Sequence, residues 1–467
     1  MENLELILKQ IGSIIWGPPT WVLMLLGGAY LSVRTNWLQV TKFGVYINQT
    51  LFSIFRKKKA GGEGDISPFQ ALNTAMSATM GVGTLAGTAT AIAFGGPGAV
   101  FWMWVVAFFG ITTKFSEITL AVHFRHKNEK GEVLGGPMIY IEKGLGWKWL
   151  AKIFAVAGAA AAFGIGNMVQ ANTGADALQY AFGIPRLLTG IVAAVLIGLV
   201  IIGGIKRIGT TAEKIIPVLA MFCIISCIAI LITNISLVPE AFGRIFAGAF
   251  TNQGAVGGFA GATIMYAVRY GLMRGVFSNE AGLGSAPIAH AAAKTDHPVK
   301  QGFWGAFEVF LDTHVMCTLV ALVILTSGAW TEINSTTGTA YTGAPLIMAA
   351  FRMSFLGPVV GNALMAFLIA TFGFTTILGW AFYGEKCMEY LTGTTKSNLF
   401  YRILFLPVII GGALGGLKII WTIADILNAL MAIPNMIGVV ALGGVVAKIT
   451  KDYFSKKPYI SFEDAKK

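Results

Sequence analysis

Charge is scarce in this chain. Asp, Glu, Lys and Arg make up 12% of its 467 residues, where soluble domains carry roughly 25%. That shortage excludes an ordinary soluble globular protein. Cysteine is rarer still, with Cys223, Cys227, Cys317 and Cys387 only. None has the spacing to a histidine or to a second cysteine pair that a metal site or disulfide framework requires. All four lie in or at the ends of apolar segments and read as small packing residues. The five histidines, at positions 123, 126, 290, 297 and 314, form no HExxH sequence. A Walker phosphate-binding loop is missing as well, so the chain is not expected to hydrolyse ATP. With no catalytic constellation and no cofactor motif, it reads as something other than an enzyme, and no organic cofactor is expected. The opening MENLELILKQ lacks the basic start of a cleaved signal peptide and reads as an amphipathic lead-in to a first span.

What the chain has in quantity is apolar sequence. Hydrophobic residues make up 55% and the mean hydropathy is +0.70. Mostly apolar stretches of 18 or more residues recur along its length, the pattern of transmembrane helices. Eleven are expected: Ser13–Val33, Ile66–Phe94, Ala99–Val122, Leu150–Phe182, Leu187–Gly204, Thr211–Ile232, Gly257–Ala291, Val299–Ser327, Pro358–Leu391, Leu399–Leu417 and Ile419–Ala447. The fold class is therefore an all-α polytopic membrane protein, a single membrane domain over residues 1–467 with a tail at 448–467.

The net charge of +12 invites a nucleic-acid partner, but the distribution of the charges argues otherwise. Of 34 Lys and Arg, 26 lie in or beside the loops after spans one, three, five, seven and nine and in the C-terminal tail. The other side holds 5, namely Lys9, Arg186, Arg244, Arg352 and Lys418. This is a positive-inside pattern, with the N-terminus outside, the C-terminus cytoplasmic and anionic lipid headgroups as partners. Nucleic acid is not expected as a partner. The oligomeric state is not read from the sequence.

Two spans are interrupted. The second contains Met80-Gly81-Val82-Gly83-Thr84 and the seventh contains YGLMRGVFSNEAGLGS, read as a break over Gly271–Gly284. Lipid cannot satisfy free backbone groups, so a break at mid-membrane needs a partner. The usual partner is an ion or a small solute. A half-helix N-terminus holds a carboxylate, and freed carbonyls with nearby hydroxyls suit a small cation. Ser77, Thr79, Met80, Gly81, Val82, Gly83 and Thr84 supply such a set at the first break. The two runs also match each other: GVGTLAGTATAIA and GVFSNEAGLGSAPIAHA each carry Gly-Val, then a hydroxyl residue, then Ala-Gly. They are expected to cross in opposite directions, which makes residues 66–232 and 257–447 an inverted repeat of five spans each, with residues 13–33 as an additional span.

Other polar groups sit at membrane depth. Arg274 and Glu280 read as a structural ion pair, with a gating or coupling role as the alternative. Asn167, Gln170 and Gly174 share a face of the fourth span and serve either a solute or interhelical hydrogen bonds. Thr375 and Thr376 present adjacent hydroxyls, with Trp380 one turn on, where a tryptophan in a span reads first as a packing residue. Glu308, Asp312 and His314 crowd the eighth span, and Asp425 shares a face with Asn428 in the eleventh.

The block Gly95 to Gly110, GGPGAVFWMWVVAFFG, resembles the signature of the alanine or glycine:cation symporter family without departures. The MGVGT and GVFSNEAG runs and the span pattern extend the resemblance over most of the chain. It implies a sodium-coupled symporter of alanine or glycine in a prokaryotic plasma membrane, with the leucine-transporter fold formed by spans two to eleven. It implies a substrate carboxylate at the amides of Gly81, Val82 and Gly83. It implies a sodium ion at the carbonyls of Ser77 and Met80 and the hydroxyls of Thr375 and Thr376. Thr79 and Thr84 fall where some relatives hold a second sodium, Thr84 standing in place of an amide side chain. Thr79, Asn167, Gln170 and Thr376 would border the substrate, and Gly275, Phe277, Ser278 and Asn279 would close the opposite wall. Trp380 would fill the pocket and leave room only for a small amino acid. The rival couplings and functions are protons, through Glu280, Asp312 or His314, and a solute or ion channel.

Overall fold

Ser67 shows how the first broken span begins. Its hydroxyl accepts from the Gln70 amide at 3.1 Å, and the Gln70 side chain accepts from the Ser67 amide at 3.0 Å. This reciprocal cap, with Pro68 in the first turn, starts a helix at a fixed residue. The computed structural model describes residues 2–54, 61–251, 264–333 and 338–464. The expected start of the seventh span at Gly257 and the last three residues of the tail lie outside them.

The helices used below are α1 (Pro18–Arg34), α2 (Pro68–Thr79), α3 (Thr88–Gly95), α4 (Gly98–Phe124), α5 (Lys148–Phe163), α6 (Val169–Phe182), α7 (Arg186–Ile201), α8 (Gly204–Thr233), α9 (Ile264–Asn279), α10 (Ala286–Ala291), α11 (Pro298–Val309), α12 (Thr318–Ser327), α13 (Gly357–Thr392), α14 (Ser397–Leu414) and α15 (Leu417–Ala441). Among the described residues, eight helical segments are long and apolar enough to cross a membrane. They cover the first, third, fourth, sixth and eighth to eleventh expected spans. A ninth forms if α2 and Gly83–Gly95 count as one span, bent by 45° at the first break. The fifth expected span carries α7, which has 16 residues, and the seventh carries α9 and α10, which are split by a loop; neither meets that length test. Lys206 and Arg207, expected in a loop, lie in the first turn of α8, because only Ile202 and Gly203 separate α7 from α8.

The chain packs around α4 and α13. Helices α9 and α11 lie along α4, while α5, α6 and α14 lie along α13, and α2 touches α13. Among the described residues, three segments widen into π-helical turns, Gly83–Gly87 after the first break, Gly164–Met168 between α5 and α6, and Phe310–Cys317 between α11 and α12. Such turns are uncommon and collect at functional sites. A short hairpin, β1 (His126–Lys127) with β2 (Val133–Leu134), follows α4 in antiparallel register. The signature block itself is structural. Phe101 meets Phe246 and Phe250 with ring centroids 5.9 and 4.9 Å apart, and the Trp104 indole donates to the Thr318 hydroxyl at 2.8 Å.

Candidate functional site

The first break starts at the C-terminus of α2. Met80 leaves the helix at φ −76°, ψ 75°, and the Gly81 amide turns back to the Thr79 carbonyl at 2.9 Å. Gly81 lets this backbone reach α13. A Cβ there would overlap the Thr376 hydroxyl and come within 3.3 Å of the Gln170 side-chain oxygen. Gly83 does the same toward α9, where a Cβ would stand 2.9 Å from the Phe277 ring. The Val82 amide donates to Gln170 Oε1 at 3.3 Å, and Gln170 Nε2 is anchored on the Ile165 carbonyl at 3.1 Å. One of the amides expected to meet a substrate carboxylate therefore faces a side-chain acceptor on the π turn's neighbour.

The expected sodium ligands come together in part. Thr376 Oγ1 lies 2.8 Å from the Ser77 carbonyl, across the α2–α13 contact, and 2.9 Å from the Phe372 carbonyl. Thr375 donates instead along its own helix, to Phe372 at 2.9 Å. Ser77 itself donates to the Thr74 carbonyl at 2.7 Å. All three are buried.

A second cluster joins both breaks. Thr84, just after the first, donates to Asp312 Oδ1 at 2.7 Å and lies 3.2 Å from the Thr79 carbonyl. Ser278, just before the second, donates to Asp312 Oδ2 at 2.7 Å, and Thr313 donates to the same oxygen at 3.0 Å. Thr84 and Ser278 occupy the same place in the two matching Gly-Val runs. Asp312 is fully buried, and its acceptor bonds come from neutral hydroxyls. The Thr79 hydroxyl stays on its own helix, 3.3 Å from the Ala75 carbonyl.

The second break differs from expectation. Helix α9 runs unbroken through Gly271 and Gly275 to Asn279, and the chain leaves helix only at Glu280. Gly275 faces α4, against Val106 and Met103, so this glycine serves helix packing and not the site wall. Asn279 caps the break, accepting from the Ala281 amide at 2.9 Å and donating to Thr313 at 3.0 Å. The Arg274–Glu280 pair is not formed. Arg274 makes a bidentate pair with Asp425 on α15, at 3.0 and 2.8 Å. Its guanidinium lies 5.0 Å from the Trp421 ring centroid and 5.4 Å from that of Phe277, and those two rings stack at 5.2 Å. Glu280 accepts from the Trp380 indole at 2.9 Å and from the Ser285 hydroxyl at 2.5 Å.

The remaining polar residues separate. The Asn167 amide donates to the Phe405 carbonyl of α14 at 2.8 Å, an interhelical role. His314 stacks on Phe310 at 5.9 Å, and its Nδ1 finds no partner among the described residues. In the sequence, Asn428 is notable only for sharing a face with Asp425. It is fully buried, and neither polar atom of its amide has a partner among the described residues.

Comparison with known proteins decides the family. The family model for the sodium:alanine symporter family matches residues 1–464. The chain belongs to the sodium:alanine symporter family. It is 46% identical to the sodium/alanine symporter AgcS of Methanococcus maripaludis, over 96% of both chains. To the amino-acid carrier protein AlsT of Bacillus subtilis it is 37% identical, covering 95% of this chain and 91% of that one. Its fold is similar to that of MhsT, solved in complex with L-phenylalanine, with a TM-score of 0.56 at 13% identity over 84% of this chain and 99% of that one. As a member of this family the chain is a membrane transporter of the leucine-transporter fold class, and not an enzyme.

Proposed function

We propose that this symporter carries a small neutral amino acid, alanine or glycine, into the cell together with sodium. The observation that carries the reading is the meeting of the Ser77 carbonyl with the Thr376 hydroxyl beside the unwound backbone of Gly81 to Gly83. Hard oxygen donors suit sodium, and the adjacent amides of the half-helix end suit a carboxylate. The first cation takes the carbonyls of Ser77 and Met80 with the hydroxyls of Thr375 and Thr376. A second takes Asp312, Thr84, Ser278 and the Thr79 carbonyl, where a buried carboxylate calls for a positive partner. For the substrate carboxylate to bind the Val82 amide, Gln170 Oε1 has to yield it. Phe277 and Trp380 border the side-chain end of the pocket, and the indole's volume favours alanine and glycine.

Transport proceeds by alternating access. Sodium orders the first break, which raises affinity for the amino acid, and the helices around α4 then rock against those around α13. The Arg274–Asp425 pair ties α9 to α15 and holds one side closed. In this reading α1 and ten further spans cross the membrane, as five-span repeats over 66–232 and 257–447 with 13–33 additional. The N-terminus is outside and the C-terminus cytoplasmic.

Asp312 also favours a second reading, in which a proton takes the place of the second cation, because a protonated carboxyl would suit the same site. Labelled alanine uptake into liposomes containing the purified protein separates the two. Accumulation that needs an inward sodium gradient and is competed by glycine supports sodium coupling. Accumulation driven by a proton gradient without sodium moves the coupling to Asp312. No uptake by folded protein under either gradient refutes the symport reading.

A further inference from the structure

The loop of the second break has three residues at positive φ, Glu280 at 55°, Gly282 at 89° and Gly284 at 77°. Two are glycine, as left-handed backbone favours. The third is a glutamate, at the position after the last turn of α9, where its amide closes the helix on the Val276 carbonyl at 2.9 Å. Helix C-termini place glycine or asparagine there because a Cβ is strained. A side chain kept at such a position points to a use for that side chain.

The use is visible in its contacts. One carboxylate oxygen takes the Trp380 indole N–H at 2.9 Å and the other takes the Ser285 hydroxyl at 2.5 Å. Trp380 is fully buried. The π turn makes room for its indole at Gly166, where any side chain would collide with the tryptophan. Tyr383 meets the ring edge-on at 5.6 Å. Packing thus confines the indole, and the one polar contact that fixes its rotation is Glu280. A buried indole N–H without an acceptor is costly, so loss of the carboxylate gives the ring a reason to turn.

We infer that Glu280 is a positioning residue for substrate selectivity: it holds the Trp380 indole and so sets the size of side chain the pocket admits. This rests on the reading of Trp380 as a pocket wall. The role assigned is hydrogen-bond acceptance and not charge.

Four single variants and one double in proteoliposomes test it, reading alanine uptake and its competition by glycine, valine and leucine. Glu280→Gln keeps an oxygen for the indole, and its amide can donate to Ser285, so selectivity stays as in the parent. Glu280→Gly suits the backbone and removes the acceptor. Competition by valine and leucine relative to alanine then strengthens about tenfold, within the range that a change of one or two methylene volumes commands. Trp380→Phe removes the donor while keeping an aromatic ring and shifts selectivity in the same direction. Combined with Glu280→Gly it adds nothing further, as expected for two halves of one contact. The indole N–H proton resonance that disappears in Trp380→Phe moves in Glu280→Gly and stays in Glu280→Gln. The inference falls if folded Glu280→Gly keeps the parent selectivity, whether or not the resonance moves, or if Glu280→Gln is as impaired as Glu280→Gly. If Glu280→Gly does not fold, Trp380→Phe carries the test, and unchanged selectivity there overturns the inference. Trp380→Ala separates the premise: if it leaves selectivity unchanged, the pocket reading fails. If it widens selectivity while Glu280→Gly does not, the pocket reading stands and this inference alone falls.

Discussion

Replacing Asp312 by asparagine tests the second cation position most sharply. Three hydroxyls, from Thr84, Ser278 and Thr313, donate to its two oxygens at 2.7, 2.7 and 3.0 Å. A carboxylate accepts all three. Asparagine has one acceptor oxygen and turns an N–H₂ group toward hydroxyls that now have to accept, so one side of the cluster is reorganised and the site loses its charge. Charge-assisted hydrogen bonds contribute about 1.5–3 kcal/mol each. Losing a ligand interaction of that size raises the sodium concentration for half-maximal alanine uptake ~10- to ~150-fold, at about 1.4 kcal/mol per factor of ten. Thr84→Ala and Ser278→Ala remove one neutral hydroxyl each and shift it less, by about two- to tenfold. The assay is initial alanine uptake into proteoliposomes across a sodium series at constant membrane potential. In Asp312→Asn the curve moves to higher sodium and loses one step of cooperativity. An unchanged half-saturation with an unchanged Hill coefficient refutes the second sodium. Exchange that persists while net proton-driven accumulation is lost assigns the position to a proton, since asparagine resembles the neutral carboxyl.

Thr376→Ala removes the hydroxyl 2.8 Å from the Ser77 carbonyl and should raise the sodium half-saturation about three- to tenfold; an unaltered sodium curve takes Thr376 out of the ligand set. Gly81→Ala places a methyl on the Thr376 hydroxyl, an overpacking of about 1–3 kcal/mol. Adding Thr376→Ala should recover part of the lost thermal stability without restoring sodium-driven uptake; strict additivity of the two melting shifts would show that these residues do not meet. Asp425→Ala leaves Arg274 without its bidentate partner, a loss of about 3–5 kcal/mol for a buried pair. The double variant with Arg274→Ala should be more stable than Asp425→Ala alone, measured by thermal unfolding in detergent, and a double variant that is no more stable would show that the pair is not coupled.

Local features were legible in the sequence. The first break was, because Gly81 and Gly83 interrupt an apolar helix that lipid would otherwise keep intact. Most spans were too, since their apolar length is a local property. The second break starts later than its glycines suggest, because glycine has two uses. Gly271 and Gly275 bring α9 against α4, and only from Glu280 on does positive φ end the helix. Pairings between distant elements were not legible. Arg274 and Asp425 are 151 positions apart, whereas Glu280 stood within two turns and offered the nearer, wrong partner. Asp312 stands out in the sequence as a polar residue at membrane depth, but nothing along the chain shows that Thr84 and Ser278 converge on it. The signature block marks the family through helix packing: its aromatics bind helices together, and Met103, Val106 and Gly110 pack on α9 and the start of the second break.

The convergence on Asp312 bears on coupling. Thr84 and Ser278 hold equivalent places in the two Gly-Val runs, and each bonds a different oxygen of one carboxylate. A ligand that draws on that carboxylate therefore acts on the helix leaving the first break and the helix entering the second together. The first break is also tied to α13 through Thr376, and the second through Trp380 and Glu280. Each break thus bonds to the shared carboxylate and to α13, so loosening either contact with α13 shifts strain onto that carboxylate. A cation at Asp312 would stabilise arrangements in which both breaks stay aligned, and its loss would release both. That is the differential affinity between states that a coupled transporter requires. Separate ion sites at each break, with no shared ligand, would not link them in this way.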